Sequence, residues 1–306
     1  MNYAGRMNAF IFKGQTVYDA LKAYRKMQGM THVELNYPEH VEGYDIEKIR
    51  DEMGDLKLNG LAVRWRHDFS NGDFTNPDET LRARAVQMVR DAVDVCRNLG
   101  GSVITLWFEN DGFDYAFQMD YEKCFYQIVD TLQMLADEAP DMKFSIEYKP
   151  FEERNYPLVD STGMVLYLLR CVNRPNVGCT FDFCHMLMKN DAPSYGLALA
   201  AKEGKLFGLH MNDGYARQDG GMIFGSVNIP QAAEFIYYLK KYHYDGTVFF
   251  DTFPVRENPV RETQSNIDSF NKILSGVEAL GMDRIQSVID ARDGVRAHQL
   301  VMDMLR

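Results

Sequence analysis

Short apolar segments of β type alternate with longer segments in which apolar residues recur at helical spacing, and this alternation continues along the chain. The helical spacing is clear between Leu81 and Val93. The pattern predicts strands over residues 9–12, 31–37, 58–65, 102–108, 143–146, 177–183, 206–211 and 247–250. It predicts helices over residues 16–27, 46–53, 76–99, 121–136, 163–171, 197–203 and 230–241, followed by helical segments up to the C-terminus.

Eight strands that are each followed by a helix require a parallel sheet, and eight such units closing on themselves form a (β/α)8 TIM barrel. No linker, low-complexity segment or block of charge divides the sequence. We therefore expect a single TIM-barrel domain over residues 1–306 with a C-terminal helical extension. An open doubly wound sheet is the alternative fold, but no glycine-rich dinucleotide loop follows an early strand.

Four of the predicted strands end in a side chain that can bind a metal ion. In a TIM barrel the carboxyl ends of all strands lie at one face, so side chains from separate strand ends meet there. These four residues are Glu147, Asp182, His210 and Asp251. Three carboxylates and an imidazole, with no cysteine, suit Mn²⁺, Mg²⁺, Co²⁺ or Zn²⁺. The pattern predicts one such ion per chain.

Two further polar residues stand beside these ligands. Lys149 follows Glu147 by two residues, so both side chains point to the same side of an extended segment. His185 follows Asp182 by three residues. Glu147, Lys149, His185 and Asp251 are the candidate catalytic residues. A carboxylate or His185 can serve as the base that removes a proton beside a metal-polarised carbonyl.

Each candidate also has an ordinary structural explanation. Glu147 and Lys149 could form an ion pair at a strand end, and Asp182 and Asp251 could cap the helices that follow. His210 alone would be better explained as a buried core histidine. The agreement of four strand ends favours the metal site.

Composition and charge narrow the class of partner. Hydrophobic residues make up 46% of the sequence, which is enough for a large core, and no uncharged apolar run is long enough to span a membrane. A net charge of −11 argues against nucleic acid as a partner. The five cysteines show no CxxC spacing, and the N-terminus has no signal-peptide pattern, so we expect a cytoplasmic protein. A small, neutral or carbonyl-bearing ligand is the expected partner.

The order of the four ligands resembles the metal set of the xylose-isomerase-like TIM barrels, which include sugar isomerases, ketose epimerases and inosose dehydratases. The resemblance extends over essentially the whole chain and is closest at Glu147-Tyr-Lys149 and Asp182-Phe-Cys-His185. Aldose–ketose isomerases, including the rhamnose isomerase group, carry Glu-x-Lys and a carboxylate-x-x-His at these strand ends. The resemblance implies that Lys149 polarises the sugar carbonyl or holds an oxygen, and that His185 reaches the substrate or a second metal.

Two positions depart from the family pattern. Isomerases with two metals place an Asp-x-Asp pair about ten residues beyond the ligand equivalent to His210, and this chain has Asp219 but Gly221 there. The departure favours one metal and proton transfer over a hydride shift. In ketose 3-epimerases the fourth ligand is a glutamate that also acts as a base, whereas this chain has the shorter Asp251.

The predicted mouth of the barrel contains further candidates for contact with substrate. We predict that substrate is bound by Trp65, His67, Trp107, Asp219 and Arg256. The segments 68–73 and 109–117, which follow the third and fourth strands, are expected to close over the site as lids. We expect a homo-oligomer, with a hetero-oligomer containing a small subunit as the alternative.

The leading functional prediction is a metal-dependent sugar isomerase or epimerase that works by enolisation, most simply an aldose–ketose isomerase. The alternative is a lyase that performs β-elimination on a keto-sugar, such as an inosose dehydratase or the large subunit of a C-glycoside deglycosidase. Both begin with the same proton loss. Barrel endonucleases of abasic-site repair share the fold but need further histidines, and a catalytically silent sugar-binding subunit would bind no metal.

Overall fold

Eight parallel strands close into a barrel in the computed structural model, which describes residues 1–304. Going around the barrel, each strand pairs with its sequence neighbours, and the first strand pairs with the last. We number the barrel strands β1 to β8. They are β1 Asn2–Arg6, β2 His32–Tyr37, β3 Lys57–Val63, β4 Val103–Leu106, β5 Lys143–Glu147, β6 Val177–Asp182, β7 Leu206–His210 and β8 Thr247–Phe250. The predicted TIM barrel is confirmed.

Helices surround the barrel, and most of them begin at a side chain that caps the first turn. Thr16 and Asp19 form a reciprocal capping box, and Asp45 and Asp120 accept hydrogen bonds from first-turn backbone N–H groups. The helices are α1 Asn8–Ile11, α2 Val17–Tyr24, α3 Ile46–Met53, α4 Glu79–Asn98, α5 Tyr121–Glu138, α6 Thr162–Val172, α7 Phe183–Met188, α8 Pro193–Lys202, α9 Ile229–Lys241, α10 Pro259–Leu280, α11 Met282–Ala291 and α12 Gly294–Met304. α10 follows β8 and packs against β1 and β8 through Phe270, so it completes the barrel, and α11 and α12 form the predicted C-terminal extension.

The prediction of the first strand was wrong. Residues 9–12 belong to the helical turn α1 and its C-terminal cap, and β1 lies earlier, at Asn2–Arg6. The apolar run is continuous but not a strand: Phe10 is buried, whereas Phe12 is 78% exposed. In β1, Gly5 is required by close packing, because a Cβ there would lie 2.7 Å from the Tyr24 ring. This small residue weakens the apolar signal of the true strand.

The strand register places the four candidate ligands at one end of the barrel. Glu147, Asp182 and His210 are the last residues of β5, β6 and β7, and Asp251 follows the last residue of β8. Asp182 and His210 are direct partners across β6 and β7. Each candidate ligand therefore lies at the end of a strand that is paired on both sides within the closed barrel.

The two segments predicted as lids are tied together by buried carboxylates. Asp111 accepts hydrogen bonds from the backbone N–H groups of residues 73, 74 and 75 and from the Thr75 hydroxyl, at 2.6 to 3.1 Å. Asp73 in turn accepts from the backbone and side chain of Asn110. Next to this contact, Gly112–Phe113 pairs with Tyr156–Pro157 in a two-stranded ribbon. Any closure would have to move these loops together.

Between residues 1 and 304, no helix has the length and apolar character needed to cross a membrane.

Candidate metal centre

Four buried side chains converge at the carboxyl ends of β5 to β8. Glu147, Asp182, His210 and Asp251 each offer one ligand atom, and these atoms all lie within 4.8 Å of one another. This spacing allows one cation to contact all four groups. Each side chain comes from a different strand, so no single local motif creates the cluster.

The imidazole of His210 shows how the cluster fits a metal ion. Its Nδ1 atom is buried without a hydrogen-bond partner and lies 3.1 Å from Glu147 Oε1. Its Nε2 atom lies 3.2 Å from Glu34 Oε1, and Asn59 donates a 2.6 Å hydrogen bond to the other oxygen of Glu34. A carboxylate behind one ring nitrogen is the usual arrangement that leaves the other nitrogen for a metal. The residues therefore fit a metal ion.

The protonation of this cluster reflects burial and the crowding of charges. Although burial would lower the pKa of His210, the carboxylates of Glu147 and Glu34 raise it well above its usual value. Burial would raise the pKa of Glu147, but His210 and His185 lower it to about 2. Glu147 is therefore an ionised carboxylate at neutral pH.

Asn212 orients two of the candidate ligands. Its side-chain N–H₂ group donates to Asp182 Oδ2 at 2.9 Å and to the backbone oxygen of Asp251 at 3.1 Å. The other oxygen of Asp182 accepts from the backbone N–H of His185 at 2.9 Å, so Asp182 also caps α7. Burial raises the pKa of Asp182 to about 7, although the positive charge of His185 acts to lower it. The helix-capping explanation and the metal-ligand explanation thus apply to the same residue.

A second cluster lies beside the first, around Asp219. Its Oδ2 atom is 3.1 Å from Lys149 Nζ and 3.2 Å from His185 Nε2, and Lys149 also contacts Glu152 at 3.1 Å. The Nδ1 atom of His185 lies 2.9 Å from the backbone oxygen of Tyr148, which directs Nε2 towards Asp219. The ammonium and imidazole groups act as the cationic partners of Asp219.

A cavity of about 210 Å³ opens directly above both clusters. Trp107 and Phe253 form aromatic walls, and Arg6, Arg64 and Arg66 add three guanidinium groups. Arg6 donates a 2.7 Å hydrogen bond to Asp251. A larger and more apolar cavity of about 640 Å³ lies far from this chemistry, between α9 and the C-terminal helices.

The structure brings together most of the predicted site residues but not all. Trp107 and Asp219 line the cavity with the four candidate catalytic residues, Glu147, Lys149, His185 and Asp251. Trp65 is fully buried on the other side of the strand end, where it contacts Phe74 and donates to the backbone oxygen of Ala85. His67 and Arg256 are exposed and lie outside the residues that line this cavity.

Sequence reasoning missed several residues of the site. Arg64 and Arg66 were not among the predicted substrate-binding residues. They are two residues apart, which could have placed both on the cavity side of the strand end and Trp65 on the other. Glu34 could have been found as the one carboxylate inside a buried strand. Asn59 and Asn212 carried no such signal, because their roles depend on contacts with neighbouring strands that are far away in the sequence.

Comparisons with known proteins agree with the barrel fold. The family model of the xylose isomerase-like TIM barrel matches residues 21–273. A xylose isomerase of Thermus thermophilus is 28% identical over 218 residues, which cover 69% of this chain and 56% of the relative. The chain thus spans about half the length of the curated relatives that it matches.

Two solved structures share the fold over nearly their whole length. A xylose isomerase domain protein from Alicyclobacillus acidocaldarius has a TM-score of 0.73 at 18% identity, covering 91% of this chain and 99% of the other. An L-ribulose 3-epimerase has a TM-score of 0.72 at 14% identity, covering 91% and 95%. By its match to the family model, supported by the barrel and the strand-end ligands, this chain belongs to the xylose isomerase-like TIM barrel family.

Proposed function

We propose that the protein is a divalent-metal-dependent enzyme that isomerises or epimerises a sugar or keto-sugar through enolisation, with aldose–ketose isomerisation favoured. The observation that carries this proposal is the convergence of Glu147, Asp182, His210 and Asp251 beneath a small cavity. The activities of the named relatives, xylose isomerase and L-ribulose 3-epimerase, support the same class of reaction.

The four ligands would hold one Mn²⁺ ion, with Mg²⁺, Co²⁺ and Zn²⁺ as chemical alternatives for an oxygen and nitrogen donor set. When bound, such an ion polarises a carbonyl and holds neighbouring oxygens of a polyol. The buried and unpartnered Nδ1 atom of His210 supports this assignment. The outer contacts from Glu34 and Asn212 would keep the ligands in place.

The chain's own groups would orient the sugar and move its protons. Lys149 would direct its ammonium to a carbonyl oxygen, where positive charge stabilises the developing enolate. Glu147 or Asp251 would take the proton from the neighbouring carbon, since both are carboxylates at the floor of the cavity. His185, held by the Tyr148 backbone oxygen, would exchange a proton with a sugar hydroxyl. Trp107 would exclude water from one side.

The test is turnover in deuterated water. Chelator-stripped protein, reloaded with Mn²⁺, is given a panel of aldoses and ketoses together with a keto-sugar glycoside and an inosose. We expect metal-dependent interconversion of free sugars, with solvent deuterium on the carbon next to the carbonyl. Turnover without deuterium would point to a hydride shift or to a base wholly shielded from solvent, and activity confined to the glycoside or the inosose would assign the lyase reaction instead.

A matched pair of variants separates the metal site from general damage to the fold. His210→Ala removes a ligand and should abolish turnover. Glu262→Gln also replaces a buried polar side chain, but one that contacts Asn266 behind β8, and it should retain turnover. Equal loss in both variants would mean that the assay reports stability and not the metal centre.

A further inference from the structure

One guanidinium in the cavity has no anionic partner. Arg64 is only 8% exposed, and its Nε atom is buried without a hydrogen-bond partner. Within residues 1–304, no carboxylate oxygen lies within 4.0 Å of its side-chain nitrogens. Its guanidinium carbon lies 4.8 Å from the centre of the Trp107 ring. This side chain lines the same cavity as the candidate ligands.

The other cationic side chains of the cavity are each matched by carboxylates. Arg64 feels the negative charges of Glu39, Glu109 and Glu147 only at longer range. The direct pairs are Arg6 with Asp251 at 2.7 Å, Lys149 with Asp219 and Glu152 at 3.1 Å each, and Arg66 with Glu39 at 3.1 Å and with Glu109. Arg64 is therefore the cation that remains after the charges of the cavity are paired.

A buried guanidinium without an anionic partner cannot avoid the cost of its charge by losing a proton. Lysine and histidine become neutral when burial is costly, whereas arginine stays charged at every pH that a protein tolerates. An unpaired buried charge is costly, and the planar fork of arginine matches the two oxygens of an oxyanion. The Trp107 contact compensates for only part of the lost hydration. The side chain is thus suited to an anion that enters the cavity.

The position of Arg64 in the barrel brings it within reach of a ligand at the metal centre. It follows β3, and His210 ends β7, which lies on the opposite side of the closed barrel. The cavity there is small, about 210 Å³, and Arg64 lines it together with Glu147 and Asp251. A sugar held at the metal ligands can therefore contact the Arg64 side chain with another of its groups.

We propose that the substrate is a sugar that carries an oxyanion, a carboxylate or a phosphate, and that Arg64 binds this group while the carbonyl end lies at the metal ligands. This inference rests on the proposed function and names its substrate class. The net charge of −11 repels anions at long range. Selection of an anion must therefore come from a local group such as Arg64.

The test compares matched ligands on the Mn²⁺-loaded protein by calorimetry. The probes are a neutral hexose, the hexuronate with the same ring configuration, and the corresponding hexose 6-phosphate. We expect an anionic probe to bind at least about tenfold more tightly than the neutral one, the scale of a hydrogen bond to a charged group. The stronger of the two anionic probes identifies the oxyanion as carboxylate or phosphate.

Variants of Arg64 give the decisive comparison. Arg64→Met should bring the ratio of anionic to neutral affinity close to one, and binding of Mn²⁺ should stay within about twofold. Arg64→Lys should restore part of it, because the charge returns without the fork. Arg90→Met, which removes an equal charge from a surface pair with Glu138, should change nothing.

Two contrary results are distinguishable. Equal binding of neutral and anionic sugars, unaffected by Arg64→Met, would overturn the oxyanion proposal and leave the metal-dependent sugar enzyme intact. If no sugar of either kind binds to the Mn²⁺-loaded protein, the proposed function fails and this inference fails with it. Loss of Mn²⁺ binding in Arg64→Met would also contradict the assignment, since it would make Arg64 a support of the metal cluster.

Discussion

Replacement of Glu34 by glutamine should weaken metal binding although Glu34 is not itself a candidate ligand. Its carboxylate lies 3.2 Å from His210 Nε2, is fixed on its other oxygen by Asn59, and is buried. It holds the imidazole in the tautomer that leaves Nδ1 free and makes the ring a stronger donor. Glutamine keeps the shape but loses the negative charge.

The magnitude follows from what outer carboxylates contribute at metal sites. Their loss costs about 10- to 100-fold in affinity, which corresponds to ~1.4 to ~2.7 kcal/mol. We expect Glu34→Gln to fall in this range. The upper part of the range is the more reasonable expectation, because no water-exposed path screens the Glu34–His210 pair.

The assay is competition for Mn²⁺ between chelator-stripped protein and a calibrated chelator, with nitrogen NMR of the histidine ring as a second reading. Glu262→Gln, a buried carboxylate that contacts Asn266 and not the ligands, is the matched control and should keep wild-type affinity. An unchanged Mn²⁺ affinity in Glu34→Gln, with an unchanged His210 tautomer, would refute the reasoning.

Three further outcomes follow from the geometry. Mn²⁺ affinity should rise with pH, because the pKa of His210 is raised and that of Asp182 is about 7, so both groups carry protons below neutrality that must leave when the metal binds. Calorimetry in buffers of different ionisation enthalpy should detect this proton release. An affinity that does not depend on pH would contradict the prediction. Lys149→Met should lower kcat about 100-fold with Mn²⁺ binding unchanged, and a change in KM alone would argue against its role at the carbonyl. Asp111→Ala should lower the free energy of unfolding in urea by more than about 3 kcal/mol, since several buried backbone N–H groups lose their acceptor. A loss below about 1 kcal/mol would show that Asp111 does not hold the segments 68–73 and 109–117 together.

The barrel could be predicted because short apolar strands and segments with apolar residues at helical spacing alternate regularly along the chain. Seven of the eight strands stand out as apolar runs between helical segments, and their ends supplied all four candidate ligands. The exception was β1, where Gly5 is small to admit Tyr24 and the more apolar run beyond it forms a helical turn. Local hydrophobicity misplaces a strand when packing demands a residue without a side chain.

The supporting residues of the site could not be predicted in the same way. Glu34 and Asn59 act on His210 across the barrel, and Asn212 links the ends of β6 and β8. Such roles depend on strand register and closure, which no short sequence window contains. For Arg64, the sequence shows its position next to Trp65. Its lack of an anionic partner, however, can be seen only in the folded cavity.

The most direct test of the metal centre is the stoichiometry of Mn²⁺ bound to chelator-stripped protein, measured for the wild type and for His210→Ala and Asp182→Asn. Each variant removes a ligand from a different strand, and folding is checked by circular dichroism. The structure predicts one tightly bound ion per chain in the wild type and a sharp loss in both folded variants. Wild-type stoichiometry and affinity in both variants would contradict the assignment of these side chains as the metal site.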